Sequence, residues 1–139
     1  MDKRALLTAV FAAVLVLSGL SPAFAADALG LHQRLIVLDT HLDTPANFAR
    51  PGWDIMTEHT FADDLSQIDY PRMAAGGLDG GFFAIYTAQG PRTPEGYAAA
   101  LDAALQRGLE IREMVARHNE TFELALRADD ASKIAALYP

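Results

Sequence analysis

The sequence contains no cysteine. Neither a disulfide scaffold nor a zinc site with thiolate ligands can therefore form, so any metal ion must be held by His, Asp and Glu side chains. Basic residues are also scarce, because 11 Lys and Arg stand against 18 Asp and Glu and give a net charge of −7. The Lys and Arg residues form no cluster. This composition argues against nucleic acid as a partner.

A long hydrophobic run occurs once, near the N-terminus. A short charged start precedes an apolar run over residues 5–20, and the small-residue segment 21–25 follows. This order predicts a secretory signal peptide, residues 1–25, and a mature domain, residues 26–139. The run is shorter than the roughly 20 residues of a transmembrane helix, although an uncleaved membrane anchor is the alternative. We expect export to the periplasm or the extracellular space, with no stable membrane span after cleavage.

Strand and helix patterns alternate along the mature chain. The apolar run at 34–39 is rich in branched residues and is typical of a strand buried on both faces, as in parallel sheets. The longest helix carries an apolar stripe that includes Leu101, Leu105 and Leu109, which predicts a packing helix. The expected elements are a strand at 34–39, a long connection at 44–58, a helix at 61–75 interrupted near 69–71, a strand at 80–87, a helix capped by Thr93 and running to about Asn119, a short strand at 122–126 and a helix at 131–137. The order predicts an α/β fold with a parallel sheet.

A histidine and an aspartate, His41 and Asp43, stand two residues apart at the end of the first predicted strand. Because side chains alternate along a strand, the two point to the same side and can bind one ion. Imidazole nitrogen and carboxylate oxygen suit zinc or a similar divalent ion. The alternative is that both residues cap the next turn, since Asp-Thr-Pro is favourable turn chemistry. On its own the pair is weakly specific.

Two longer segments place this pair in a wider pattern. Residues 37–45 read Val-Leu-Asp-Thr-His-Leu-Asp-Thr-Pro, and residues 67–86 read Gln-Ile-Asp-Tyr-Pro-Arg-Met-Ala-Ala-Gly-Gly-Leu-Asp-Gly-Gly-Phe-Phe-Ala-Ile-Tyr. In this order they strongly resemble the N-terminal part of the membrane (renal-type) dipeptidases, peptidase family M19. The resemblance covers essentially all of residues 26–139.

The resemblance implies a (β/α)8 TIM-type barrel of the metal-dependent hydrolase superfamily, incomplete in this chain. It implies two zinc ions, bridged by a glutamate, that activate a water to attack the peptide carbonyl of a dipeptide. His41 and Asp43 match the two ligands of the first zinc, and Asp39 matches a residue that supports the metal-bound histidine. The bridging glutamate and the histidines of the second zinc have no counterpart here, so no catalytic residue is expected within these 139 residues.

Five other side chains are candidates of lower rank. Trp53 and Tyr86 are possible walls of a substrate pocket, with core packing as the alternative. His32 and His59 are interpreted as surface or capping residues, because neither has a partner at ligand spacing. His118, in the last turn of the longest helix, is explained by the helix dipole.

Two functions remain open. The first is an exported zinc-dependent dipeptidase, represented by an N-terminal fragment that is inactive alone. The second is a non-catalytic secreted α/β domain that binds metal at most weakly. The chain of 139 residues is far shorter than the roughly 250 of a (β/α)8 barrel. We therefore expect neither dipeptide turnover nor a stably folded monomer, and for a full-length form a homodimer is the alternative to a monomer.

Overall fold

The computed structural model describes residues 28–137, which divide into two compact units at the boundary between Leu35 and Ile36. Residues 28–32 of the first unit are helical. The predicted signal peptide lies outside the described residues. Within the described range, no helix is both long and apolar enough to cross a membrane.

The second unit contains an open sheet of two parallel strands. Strand β1 spans Leu38–Leu42 and strand β2 spans Gly80–Phe83. Leu38 pairs with Gly80 and Leu42 pairs with Phe83, with a register shift between Asp39 and Leu42. Parallel strands need a long crossover, and the helical segment between β1 and β2 provides it. The predicted mixture of helices and parallel strands is thus present, as an open two-stranded sheet.

The first strand is more exposed than the sequence predicts. It begins at Leu38 rather than at residue 34, and Leu38 is 42% exposed while Leu42 is buried. The prediction of burial on both faces is wrong for the described residues. The apolar run at 34–39 identifies a segment suited to burial, but no second layer of the described chain covers it. The second strand also ends early, at Phe83 instead of residue 87.

The crossover contains two short helices, as the predicted interruption requires. Helix α1 spans Phe61–Asp64 and helix α2 spans Tyr70–Gly76. The Asp69 side chain caps α2 by accepting from the Arg72 amide, and a proline in the first turn has no N–H to leave unpaired. Gly77 ends α2 with a φ of 67°, a left-handed conformation that glycine adopts without strain.

The longest helix, α3, spans Pro94–Arg117. Its start is as predicted, because the Thr93 side chain accepts a hydrogen bond from the Gly96 amide. Its buried side chains are Ile111 and Met114. The predicted packing stripe packs only in part, because Met114, which belongs to it, is buried, whereas Leu101, Leu105 and Leu109 are all exposed.

The third predicted strand, at 122–126, is irregular backbone rather than a strand. The Asp130 carboxylate explains the difference, because it accepts hydrogen bonds from the amides of Leu126 and Arg127. These bonds anchor the end of that segment to the start of helix α4, Ala128–Ala135, which begins three residues earlier than predicted. The capping hydrogen bonds therefore determine the structure of this segment, because no neighbouring strand of the described chain pairs with its alternating residues.

The small core of the second unit joins the sheet, the crossover and α3. Its buried apolar side chains are Leu42, Ile55, Met73, Ile111 and Met114. Leu42 is the last residue of β1, so the core lies directly behind the strand end that carries the His-Asp pair.

Candidate functional site

A cleft of about 370 Å³ opens where β1 ends. One side is formed by the strand end and by a short 3-10 helix, Thr44–Asn47. The other side is formed by residues 65–68 of the crossover. The lining residues are Asp39, His41, Leu42, Asp43, Thr44, Ala46, Asn47, Leu65, Gln67 and Ile68. The carboxyl end of a parallel strand is where α/β proteins place their sites.

The predicted metal-ligand pair lies in this cleft with its polar atoms together. His41 Nε2 is 3.1 Å from Asp43 Oδ1, and the side chains are 68% and 63% exposed. The two side chains thus lie on one side, as their spacing predicts, although Asp43 follows β1 as the N-cap of the 3-10 helix. Both groups are therefore accessible from solvent and converge on one point.

Asp39 also lines the cleft, two residues before His41 and at the start of the register shift in β1. Its Oδ1 accepts a hydrogen bond of 2.8 Å from the His41 backbone amide. The contact thus fixes the main chain of His41 rather than its imidazole ring. Asp39 shapes the backbone that presents the ligand pair.

The donor atoms of this pair fit a zinc ion as two of its ligands. The two atoms are hydrogen-bonded to each other at 3.1 Å, and two ligand atoms of a tetrahedral zinc ion with bonds of about 2.0–2.1 Å are separated by a similar distance, roughly 3.3 Å. No cluster of three or more metal-binding side chains forms within residues 28–137. The described residues therefore bring two candidate metal-binding side chains together.

The 3-10 helix after Asp43 is anchored by its buried residues and by a hydrogen bond from α3. Thr44 and Pro45 are buried, and the Ala46 amide donates to the Asp43 carbonyl at 3.0 Å. Arg107, on α3, donates from its guanidinium to the Pro45 carbonyl. Glu110 lies 3.3 Å from the same guanidinium nitrogen. This helix is thereby attached to α3.

The opposite wall of the cleft is organised by Ser66, which is fully buried. Its hydroxyl accepts a hydrogen bond of 2.9 Å from Trp53 Nε1, and its amide donates to the Asp64 carboxylate. The Ser66 carbonyl accepts a hydrogen bond from Arg72. Every polar group of Ser66 is bonded, so the neighbouring residue Gln67 is presented from a fixed backbone.

Asp69 anchors the far end of this wall. It is fully buried and accepts hydrogen bonds from the His59 amide at 2.8 Å, the Arg72 amide at 3.0 Å and Arg72 Nε at 2.6 Å. Burial raises the pKa of this carboxyl, but the hydrogen bonds and the Arg72 charge together hold its pKa below the ordinary aspartate value. The carboxylate is stabilised as an anion inside the protein.

Of the two roles predicted for His59, surface or capping, the surface role is wrong, because its side chain is only 13% exposed. Its Nδ1 is 2.8 Å from the Asp64 carboxylate and its Nε2 is 2.9 Å from the Asp54 carbonyl. The ring stacks on Trp53 with centroids 4.7 Å apart. Both partners lie five residues away along the chain, Asp54 before His59 and Asp64 at the end of α1.

The remaining candidates lie away from the His-Asp pair. Trp53 packs beneath the Ser66 wall and does not line the cleft, and Tyr86, beyond the end of β2, is exposed. Their proposed pocket roles stay predictions. His118 occupies the C-cap of α3, as the dipole interpretation requires, and its Nε2 is 3.4 Å from Asp54 Oδ1. His32 belongs to the first unit.

Sequence reasoning missed the cleft residues that belong to no metal motif. Asn47 and Gln67 line the cleft, and Arg107 supports it from α3. Gln67 could have been found from the sequence, because it is the first residue of the segment 67–86 on which the family resemblance rests. Arg107 has none, since it meets Pro45 across 62 residues of chain.

Comparison with protein families gives a match over most of the chain. The family model described as membrane dipeptidase (peptidase family M19) matches residues 25–137. A search of curated proteins finds no match.

Proposed function

The chain belongs to the membrane dipeptidases, peptidase family M19, and from that premise we propose that it carries the N-terminal part of a zinc-dependent dipeptidase. The observation that carries this proposal is the His41–Asp43 pair, whose Nε2 and Oδ1 converge to 3.1 Å at the mouth of the cleft. Bound zinc would supply a water of lowered pKa and polarise a peptide carbonyl.

The residues of the chain have separate tasks in this proposal. His41 and Asp43 are the zinc ligands, and Asp39 holds the His41 backbone in place. The wall that contains Gln67 would face a dipeptide bound beside the metal. Amide side chains such as Gln67 can both donate and accept, which suits the peptide and terminal groups of such a substrate.

The proposed site needs ligands beyond those described, because no third metal-binding side chain joins the pair within residues 28–137. We propose that the 139 residues contribute one part of a (β/α)8 barrel and do not hydrolyse dipeptides alone. We also propose export, with the enzyme acting outside the cytoplasm. A domain that only binds metal is the competing function, and the same two candidate side chains favour it for the isolated chain.

Zinc binding tests the ligand assignment. The purified protein is titrated with zinc while its NMR spectrum is recorded, and we expect the His41 ring signals to respond first. His41→Ala and Asp43→Ala should each weaken zinc binding by at least about tenfold. Asp102→Ala, which removes one carboxylate from an exposed position on α3, is the matched control. Equal affinity in His41→Ala and the wild type would overturn the assignment.

Turnover tests the second part of the proposal. The protein, saturated with zinc, is incubated with L,L- and L,D-dipeptides, and released amino acids are measured. We expect none above the level of His41→Ala. Release that disappears in His41→Ala would show that the chain is active alone.

A further inference from the structure

Arg107 forms a link between α3 and the segment that follows the His-Asp pair. Its side chain is 23% exposed, and its guanidinium donates to the Pro45 carbonyl. Arginine lends itself to this contact, because its planar guanidinium keeps its charge and orientation when half-buried. The contact joins residues that are 62 positions apart in the chain.

The position of the Pro45 carbonyl affects the position of the His41–Asp43 pair. Asp43 is the N-cap of the 3-10 helix, so the direction of its backbone depends on that helix. The Phe48 amide also donates to the Pro45 carbonyl, at 3.2 Å, and the Ala46 amide donates to the Asp43 carbonyl. Holding Pro45 therefore holds the turn from which the Asp43 carboxylate projects.

The positive charge of Arg107 is neutralised locally by an ion pair with Glu110. Glu110 lies 3.3 Å from the guanidinium nitrogen and is largely buried with it. The ion pair orients the guanidinium toward Pro45. It also reduces the repulsion that an uncompensated positive charge would exert on a cation at the nearby pair.

We infer that Arg107 is a positioning residue for the metal pair: through the Pro45 carbonyl it fixes the 3-10 helix and keeps the Asp43 carboxylate beside the His41 imidazole. This inference rests on the proposed function, since it takes His41 and Asp43 as metal ligands. Groups that orient metal ligands from behind typically change metal affinity by about 10- to 100-fold when removed.

The test compares Arg107→Ala and Arg107→Lys with Arg112→Ala, which removes an exposed arginine from the same helix. Two quantities are measured on the whole protein: hydrogen exchange of the Ala46 and Phe48 amides without metal, and zinc affinity. In Arg107→Ala we expect faster exchange at both amides and about tenfold weaker zinc binding. Arg107→Lys, which keeps a charged donor, should recover part of both, and Arg112→Ala should match the wild type.

The outcomes separate this inference from the proposed function. Unchanged exchange in Arg107→Ala shows that Arg107 does not fix the 3-10 helix and overturns the inference alone. Faster exchange with unchanged zinc affinity shows a purely structural role and also overturns it. If the wild type binds no zinc, the proposed function fails. The positioning role then fails as well, because it requires that His41 and Asp43 bind a metal.

Discussion

Asp69 is a fully buried carboxylate surrounded by three N–H donors, from His59 and Arg72. We expect Asp69→Ala to lower the free energy of unfolding by about 3 kcal/mol, because Arg72 and the two amides lose their acceptor inside the protein. Urea denaturation measures the change. Asp102→Ala, at an exposed position, should stay within about 0.5 kcal/mol of the wild type. An equal effect of the two substitutions would contradict the role assigned to Asp69.

The same carboxylate predicts an acid limit on stability. Its pKa in the folded protein lies below the ordinary aspartate value of 3.8. A lowered pKa stabilises the folded state above that value, and this contribution is lost as the pH falls through the folded-state pKa. Thermal melts between pH 6 and pH 2 should therefore show a steeper loss of stability in the wild type than in Asp69→Asn. Parallel curves for the two proteins would exclude Asp69 as a cause of the acid transition.

At the residue scale, the sequence predicts the proximity of His41 and Asp43 better than it predicts the contacts of the surrounding side chains. Their two-residue spacing at the end of β1 was enough to predict that they lie close together, although Asp43 itself follows the strand. The burial of His59 was not predictable, because its ring is covered by Trp53 and contacts Asp54 and Asp64 only when the crossover folds. The role of Arg107 was not predictable for a different reason, because it contacts Pro45 across 62 residues of chain.

At the scale of elements, Gly81 controls how closely β1 and β2 approach. A Cβ atom at this position would lie 2.5 Å from Leu42 Cδ1 and 3.0 Å from the Asp39 carbonyl oxygen. We expect Gly81→Ala to destabilise the protein by about 1–3 kcal/mol, because β1 must shift to admit the methyl group. Gly90→Ala is the control, since nothing lies within 4 Å of a Cβ at Gly90. Denaturant unfolding of both variants checks the prediction, which a fully stable Gly81→Ala would refute.

Element boundaries followed the sequence where they depend on local chemistry. The starts of α2 and α3 were predictable, because Asp69 and Thr93 cap them from within the same turn. The strand expected at 122–126 was not, since a strand requires a partner and the Asp130 carboxylate captures the adjacent amides instead. The periodicity of a segment indicates which secondary structure it can form, whereas its neighbours in the fold determine which one forms.

At the scale of the whole molecule, burial is the feature that the sequence predicted least well. The apolar run before β1 and the stripe on α3 were both expected to be covered. In the described residues Leu38, Leu101 and Leu105 are instead exposed, while a few side chains such as Ile55 and Ile111 form the core. Pattern reasoning identified apolar faces correctly but could not say which of them this stretch of chain covers.

The uncovered stripe on α3 predicts self-association. Tyr97, Leu101, Leu105 and Leu109 follow one another at four-residue intervals, and each is at least 60% exposed. Residues four apart lie on one face of a helix, so these side chains form a continuous apolar surface of the kind that drives aggregation. We expect the protein to associate at micromolar concentration in sedimentation velocity measurements.

Adding two charges to the stripe should reverse this association. The double substitution Leu101→Glu with Leu105→Glu should shift the protein toward the monomer and change the unfolding free energy little, because both leucines already contact water. Ala99→Glu with Ala103→Glu adds the same charges at exposed positions on other faces of α3 and should leave association intact. If both double substitutions dissociate the assembly equally, net charge rather than the stripe controls self-association. Repulsion between like-charged chains is then sufficient to keep them apart.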